Sequence, residues 1–143
     1  MEIRHPQRAD LAVVVELASD VTGAERAGPF VQSHVERHHL LIAEDEDEVV
    51  AALAYRTDWF QCTFITLVAV HEKYRRRGIA REMMRSVEAI SPTPRVFSSV
   101  EETNGPAIHL HGSLGFVPSG HIDNLPQGTR ELLFYRRVPP RRI

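Results

Sequence analysis

Apolar positions follow two periods along this chain, one near 3.6 and one near 2. Leu11, Val14, Val15 and Ala18 recur at i, i+3, i+4 and i+7, the stripe of a helix with one buried side. Asp10 stands where an N-cap would. Ahead of it, Ile3 opens a short strand that Pro6 ends. Residues 20–30 hold two glycines and a proline and read as a loop, and residues 30–37 read as a second short helix. From Leu40 the texture changes. Residues 40–43, 49–55 and 64–70 are apolar and rich in β-branched side chains, which predicts three successive strands. The acidic run from Glu44 to Glu48 falls between the first two, as a hairpin turn would, and residues 56–61 separate the second from the third.

Helical spacing returns at Ile79, Met83, Val87 and Ile90, and Pro92 closes that helix. Residues 96–100 predict a short strand. Ala107, Leu110 and Leu114 predict another helix, with Pro106 at its start and Gly115 just past its end. Residues 116–122 and 131–138 complete the set as strands. The order is β-α-α-β-β-β-α-β-α-β-β: antiparallel hairpins first, then βαβ crossovers. It predicts an α/β fold with a mixed sheet and helices on both faces. No repeat, low-complexity segment or boundary interrupts the pattern, so residues 1–143 read as a single domain.

Charge changes this picture locally. The net charge is −2, which does not favour a nucleic-acid or membrane partner, but the stretch from Arg75 to Arg81 and the C-terminal end from Arg136 to Arg142 are basic. Short basic patches in a near-neutral chain suit a small polyanionic ligand. The single cysteine, Cys62, excludes an internal disulfide and fits a reducing compartment. No apolar run is long enough for a membrane span, and the first residues lack the apolar core of a signal peptide, so the cytoplasm is expected.

The strongest chemistry lies where the third strand meets the helix that starts at Ile79. Val68-Ala-Val70 ends a strand; Arg75, Arg76, Arg77 and Gly78 make a basic turn; Ile79, Ala80 and Arg81 open the helix. The first amides of a helix have no intrahelical partner and carry the positive end of the helix dipole, so this order builds a phosphate pocket. Gly78 lets the backbone approach the anion, and small Ala80 keeps the turn uncluttered.

Arg75-x-x-Gly78-x-Ala80 resembles the [Gln/Arg]-x-x-Gly-x-[Gly/Ala] signature of the GNAT superfamily of acyl-CoA-dependent N-acyltransferases. Tyr74 precedes it, as is usual there. Downstream, Asn104-x-x-Ala107-x-x-Leu110-His111-x-x-Leu114-Gly115-Phe116 resembles the family's second hallmark, and the element order agrees over nearly the whole chain. The resemblance implies a mostly antiparallel sheet of about seven strands and acetyl-CoA as co-substrate. It also implies roles for the matching positions. Backbone amides from Arg76 to Arg81 would hold the coenzyme A pyrophosphate. Main-chain groups of Val68 and Val70 would pair with the pantetheine arm like an added strand, and an amide there would polarise the thioester carbonyl. Asn104 would hydrogen-bond the pantetheine region.

The acid–base groups depart from the family's pattern. Where relatives often carry a tyrosine acid, this chain has His111, which is either a proton donor or packing. The glutamate expected five residues before the asparagine is Ser99 here, and the strand before the phosphate turn has no carboxylate. Glu101, Glu102, Asp58 and His71 remain as base candidates, each with a solvated or ion-paired reading beside it; a base acting through water is also open. His109 and His111 cannot share a helix face, so no metal is expected. Cys62 reads as an inert core thiol and Met83 as core. Trp59 and Phe60 either line an acceptor pocket or plug the sheet end.

The leading expectation is an N-acetyltransferase acting on a primary amine, first a small amine or amino-acid-like metabolite, second a peptide. Its rival is a non-catalytic acyl-CoA-binding or sensory module. A homodimer is open. Nucleic-acid binding through Arg75–Arg77 and the Pro-Pro-Arg-Arg tail lacks any reading motif, and no Gly-Lys-[Ser/Thr] follows the turn to make a P-loop.

Overall fold

In the computed structural model, which describes residues 1–139, the chain runs through β1 (Glu2–Arg4), α1 (Leu11–Thr22), α2 (Ala24–Glu36), β2 (Leu40–Asp45), β3 (Glu48–Trp59), β4 (Cys62–Val70), α3 (Ile79–Ile90), β5 (Arg95–Glu101), α4 (Gly105–Ser113), β6 (Val117–Ile122) and β7 (Glu131–Arg137). The order is the expected one, with a short 3-10 turn ahead of α1 and another ahead of α3. Seven strands form one sheet in the order β1-β2-β3-β4-β5-β7-β6. β1–β2, β2–β3, β5–β7 and β6–β7 are antiparallel, and β4–β5 is parallel. The mixed, mostly antiparallel sheet is thus the expected one. The Pro-Pro-Arg-Arg tail lies outside the described residues beyond Pro139. No helix among the described residues is long and apolar enough to cross a membrane.

The residues fall into two compact units, Met1–Arg56 with Thr66–Val87, and Thr57–Ile65 with Glu88 onward. In the first, Val14, Leu17 and Ala18 of α1 and Ala27 and Val31 of α2 pack with Leu40, Ile42, Ala52, Ala54, Leu67 and Ala69 of the strands. The alanines matter here, because a residue without a long side chain lets a helix lie close to the pleat. Along β4, Thr63, Ile65, Leu67 and Ala69 are buried and the residues between them are half-buried, the period-2 signature of a strand with two different faces.

Several sequence expectations change. The loop expected at 20–30 shrinks to the single pivot Gly23 (φ 91°), and α2 runs through Gly28 and Pro29. A proline inside a helix costs about 3 kcal/mol. Burial of Ala27, Val31 and His34 on one stripe offsets it, since one buried valine alone is worth roughly 2 kcal/mol. Asp10 precedes α1 but makes no side-chain cap. Its carboxylate instead accepts from Arg4 Nη1 at 2.9 Å and from the Gln7 amide at 2.7 Å. The acidic run is mostly strand, with only Glu46 and Asp47 turning, at φ 49° and 66°. Two positive φ values in a two-residue loop match the right-handed strand twist. Phe60 and Gln61 do the same at φ 48° and 63°, so β3 absorbs residues 56–59.

In the second unit, β4 pairs with β5 from Thr63↔Val96 to Ile65↔Ser98, and β7 pairs with β5 along seven residues. The Thr63 hydroxyl lies 2.8 Å from Ser91 Oγ and 3.1 Å from Thr93 Oγ1, a closed polar knot at the start of β4. β6 is exposed throughout and carries Pro118, which an outer strand tolerates because its missing N–H can face solvent. Cys62 is half-buried rather than core; its thiol lies 3.4 Å from the Phe60 carbonyl.

Candidate active site

The end of β4, the basic turn and the start of α3 belong to the first unit. Val68 and Val70 alternate along β4 with buried Leu67 and Ala69. The Val70 carbonyl accepts from Arg75 Nε at 3.0 Å, which ties the basic turn back onto the strand that feeds it. Arg76 (φ 66°) and Gly78 (φ 79°) are both left-handed. Alternating handedness turns successive N–H groups towards one side, the geometry of an anion nest. The helical ladder of α3 begins with the Glu82 amide on the Gly78 carbonyl at 3.1 Å, so the amides of Ile79, Ala80 and Arg81 come ahead of it. A Cβ at Gly78 would meet nothing within 4 Å, so the turn faces open space.

Side chains around the turn add positive charge. Arg75, Arg76 and Arg77 are exposed, and the Arg77 guanidinium sits 5.0 Å from the centre of the Tyr74 ring. The Tyr74 hydroxyl donates to Glu48 Oε2 at 3.2 Å; partial desolvation and that carboxylate hold its pKa above the usual range. His71 opens the 3-10 turn: its Nδ1 accepts the Lys73 amide at 3.1 Å and its own amide donates to Val50 at 2.8 Å. One ring nitrogen of this base candidate is therefore engaged in shaping the turn.

A second histidine in this unit escaped the sequence. His34 of α2 is buried, with Nδ1 2.9 Å from the Phe30 carbonyl and Nε2 3.0 Å from Thr66 Oγ1 on β4. Its ring packs at a tilt against Phe30, with the centroids 4.3 Å apart. Burial holds its pKa below 6.5, and Arg56 and Arg37 act in the same direction. Its i+3 spacing from Val31 was a helical signal, but nothing in the sequence joins it to Thr66.

Asn104, His111 and the carboxylate candidates lie in the second unit. Asn104 Oδ1 accepts the Ala107 amide at 3.2 Å and so caps α4, leaving its NH2 group as the donor. His111 is buried, with Nδ1 2.7 Å from the Ala107 carbonyl and Nε2 2.8 Å from Ser98 Oγ. A carbonyl only accepts, so Nδ1 carries the proton and the neutral Nε2 accepts from Ser98. Burial lowers the His111 pKa below 6.5. Phe116 and Phe134 pack around the ring at 5.3 and 5.2 Å. His109, two residues away, is exposed.

The base candidates are occupied in different ways. Glu101 accepts from the Thr103 hydroxyl and amide, and hydrogen bonds from Thr103 and Thr129 hold its pKa below the usual range. Glu102 accepts the Arg130 amide. Asp58 is exposed on β3. Ser99 donates to Glu131 Oε2 at 3.1 Å, so a carboxylate reaches the Ser99 position from β7, which no local pattern could reveal. Trp59 packs against Phe60, Phe64 and Phe97 at 4.9, 4.7 and 5.1 Å. Phe60 itself is exposed.

Comparison with known proteins identifies the family. The acetyltransferase (GNAT) family matches residues 13–116. The L-amino acid N-acyltransferase MnaT of Escherichia coli K12 is 24% identical over 91% of this chain and 86% of its own length. A GNAT-family acetyltransferase structure from Bacillus cereus superimposes with a TM-score of 0.89 at 28% identity, covering 96% of this chain and 97% of that one. The Salmonella typhimurium yncA structure, solved with its cofactor acetyl-CoA, has a TM-score of 0.77 at 16% identity and covers 100% and 96% of the two chains. The chain belongs to the GNAT acetyltransferase family, whose members are acyltransferases that use acetyl-CoA as co-substrate.

Proposed function

We propose that this protein is an N-acetyltransferase that moves the acetyl group of acetyl-CoA to a primary amine by direct attack in a ternary complex. The observation that carries the reading is the turn itself: two left-handed residues, Arg76 and Gly78, lead straight into the N-terminus of α3, with three arginines around them. That arrangement suits a pyrophosphate. Its two charges meet backbone amides and a dipole end together, and arginine side chains add charge-assisted bonds. The residues from Arg76 to Arg81 would hold the coenzyme phosphates, the main chain of Val68 and Val70 the pantetheine arm, and the Asn104 NH2 group an amide carbonyl of that arm. The thioester supplies the activated acetyl carbon. A fixed N–H on β4 stabilises the oxyanion that forms as the amine attacks. We assign His111 the return of a proton to the leaving thiolate, a role its ring fills only when Nε2 is protonated.

An amino-acid-like or other small amine is the favoured acceptor. The E. coli relative's name, an L-amino acid N-acyltransferase, supports that choice. A peptide amine is second. The whole chain acts as one acetyltransferase domain in this reading, since the family match runs through residues of both units. The unpaired Cys62 fits the reducing cytoplasm. A non-catalytic acyl-CoA sensor is the second reading. It is favoured by the engagement of Glu101, Glu102 and both His111 ring nitrogens in structural hydrogen bonds.

Thiol release from acetyl-CoA, followed against a panel of amino acids, polyamines, aminoglycosides and short peptides, tests the choice. Turnover on an amine is expected. Coenzyme binding without turnover on any amine would transfer the assignment to the sensor.

A further inference from the structure

A histidine in a helix stripe that otherwise buries Ala27 and Val31 needs a physical reason. Burying an imidazole costs free energy unless its nitrogens find partners. At His34 they do, and the partners fix the state of the ring. The Phe30 carbonyl, 2.9 Å from Nδ1, can only accept, so the neutral ring keeps its proton there. Nε2 is left with a lone pair, and Thr66 Oγ1, at 3.0 Å, donates to it. Ser33 Oγ, 3.4 Å from Nδ1, reinforces nothing at Nε2. The result is a hydroxyl on β4 backed by an imidazole that has room for one more proton.

Thr66 is well placed for use. It is half-buried, whereas its neighbours Ile65 and Leu67 are buried. It lies two residues before Val68 on β4, in the same unit as the basic turn. His111 and Ser98 repeat the same wiring in the second unit, Nδ1 on the carbonyl four residues back and Nε2 on a strand hydroxyl. There, however, the hydroxyl is itself buried.

We propose that Thr66 and His34 form the proton relay that deprotonates the acceptor amine, with Thr66 as the catalytic residue and His34 as the positioning residue behind it. This rests on the acetyltransferase reading above. As the amine nitrogen bonds to the acetyl carbon, it loses a proton to Thr66 Oγ1. The Thr66 proton moves to His34 Nε2, the carbon–sulfur bond breaks and the thiolate leaves with its electron pair. His34 later releases its proton to solvent and the thiolate takes one up, so amine plus thioester give amide plus thiol. The charged groups that bear on His34 are Arg56 of β3 and Arg37 just past α2, both cations that favour the neutral, proton-accepting ring.

The test compares wild type with Thr66→Val, Thr66→Ser and His34→Gln, by kcat against pH at saturating substrates and by calorimetric acetyl-CoA affinity. Thr66→Val is nearly isosteric, and its unchanged coenzyme affinity reports that the fold survives. The relay predicts a loss of about a hundredfold in kcat for Thr66→Val and recovery of most of it in Thr66→Ser. Wild-type kcat should rise with pH through a value below 6.5, and that limb should vanish in His34→Gln. Equal kcat in Thr66→Val and wild type, or an intact low-pH limb in His34→Gln, overturns the relay while leaving the acetyltransferase reading in place. Absence of amine turnover by the wild type overturns both.

Discussion

His111 sits at the one position where the family resemblance named an acid, and its surroundings set the terms on which it can act. The neutral ring gives its N–H to Ala107 and accepts from Ser98, so it has no proton to offer a thiolate. The imidazolium does, but burial disfavours it: the folded pKa lies below 6.5. An acid must be protonated, so activity that depends on it is present below that pKa and lost as pH rises through it. His111→Phe should therefore lower kcat most at the acid end of the profile, where the imidazolium is populated, and leave acetyl-CoA affinity within about twofold. A kcat profile identical to wild type would make the ring packing for Phe116 and Phe134. The histidine was legible from its spacing to Asn104. Its hydrogen bonds were not, because Ser98 lies on another element and the sequence carries no sign of the pairing. His34 shows the same limit more sharply, since its partner is 32 residues away.

At the scale of elements, the apolar pattern located α1, α3, α4 and the strands, because most of them have one side that must be buried; β6, exposed throughout, has none. The pattern failed at α2, where Gly28 and Pro29 are strong local breakers and the stripe Ala27, Val31, His34 is short. Tertiary burial won there over propensity. A prediction follows from the imbalance. Pro29 is exposed, lacks the N–H for the Glu25 carbonyl and crowds it. Pro29→Ala restores that bond but loosens the unfolded chain, a difference of about 2 kcal/mol in favour of the helix. The urea midpoint should rise at constant slope; a lower midpoint would mean that the proline holds the bend its helix needs. Turns were the other illegible feature. Glu46-Asp47 and Phe60-Gln61 adopt positive φ without glycine, so composition gave no clue that both loops contain only two residues.

At the scale of the molecule, one line of physics connects sequence to function. A β-branched strand ends, Arg75 ties the turn to Val70, Arg76 and Gly78 reverse the backbone hand, and α3 presents its first amides. The sequence suggested a phosphate turn because glycine, arginine and helix-start signals are local; the Arg75–Val70 bond and the left-handed Arg76 were not legible in it. The acceptor was not readable, because its pocket depends on side chains brought together by the fold.

The most direct test of the central claim is a calorimetric titration of acetyl-CoA into the wild type and Gly78→Glu. A Cβ at this position meets no protein atom within 4 Å, and its left-handed backbone costs only about 1–2 kcal/mol, so the fold should persist by circular dichroism. The new carboxylate, however, would occupy the anion turn. The account predicts stoichiometric binding by the wild type and a loss of at least a hundredfold in the variant. Equal affinity in the two, or no binding by the wild type, would contradict it.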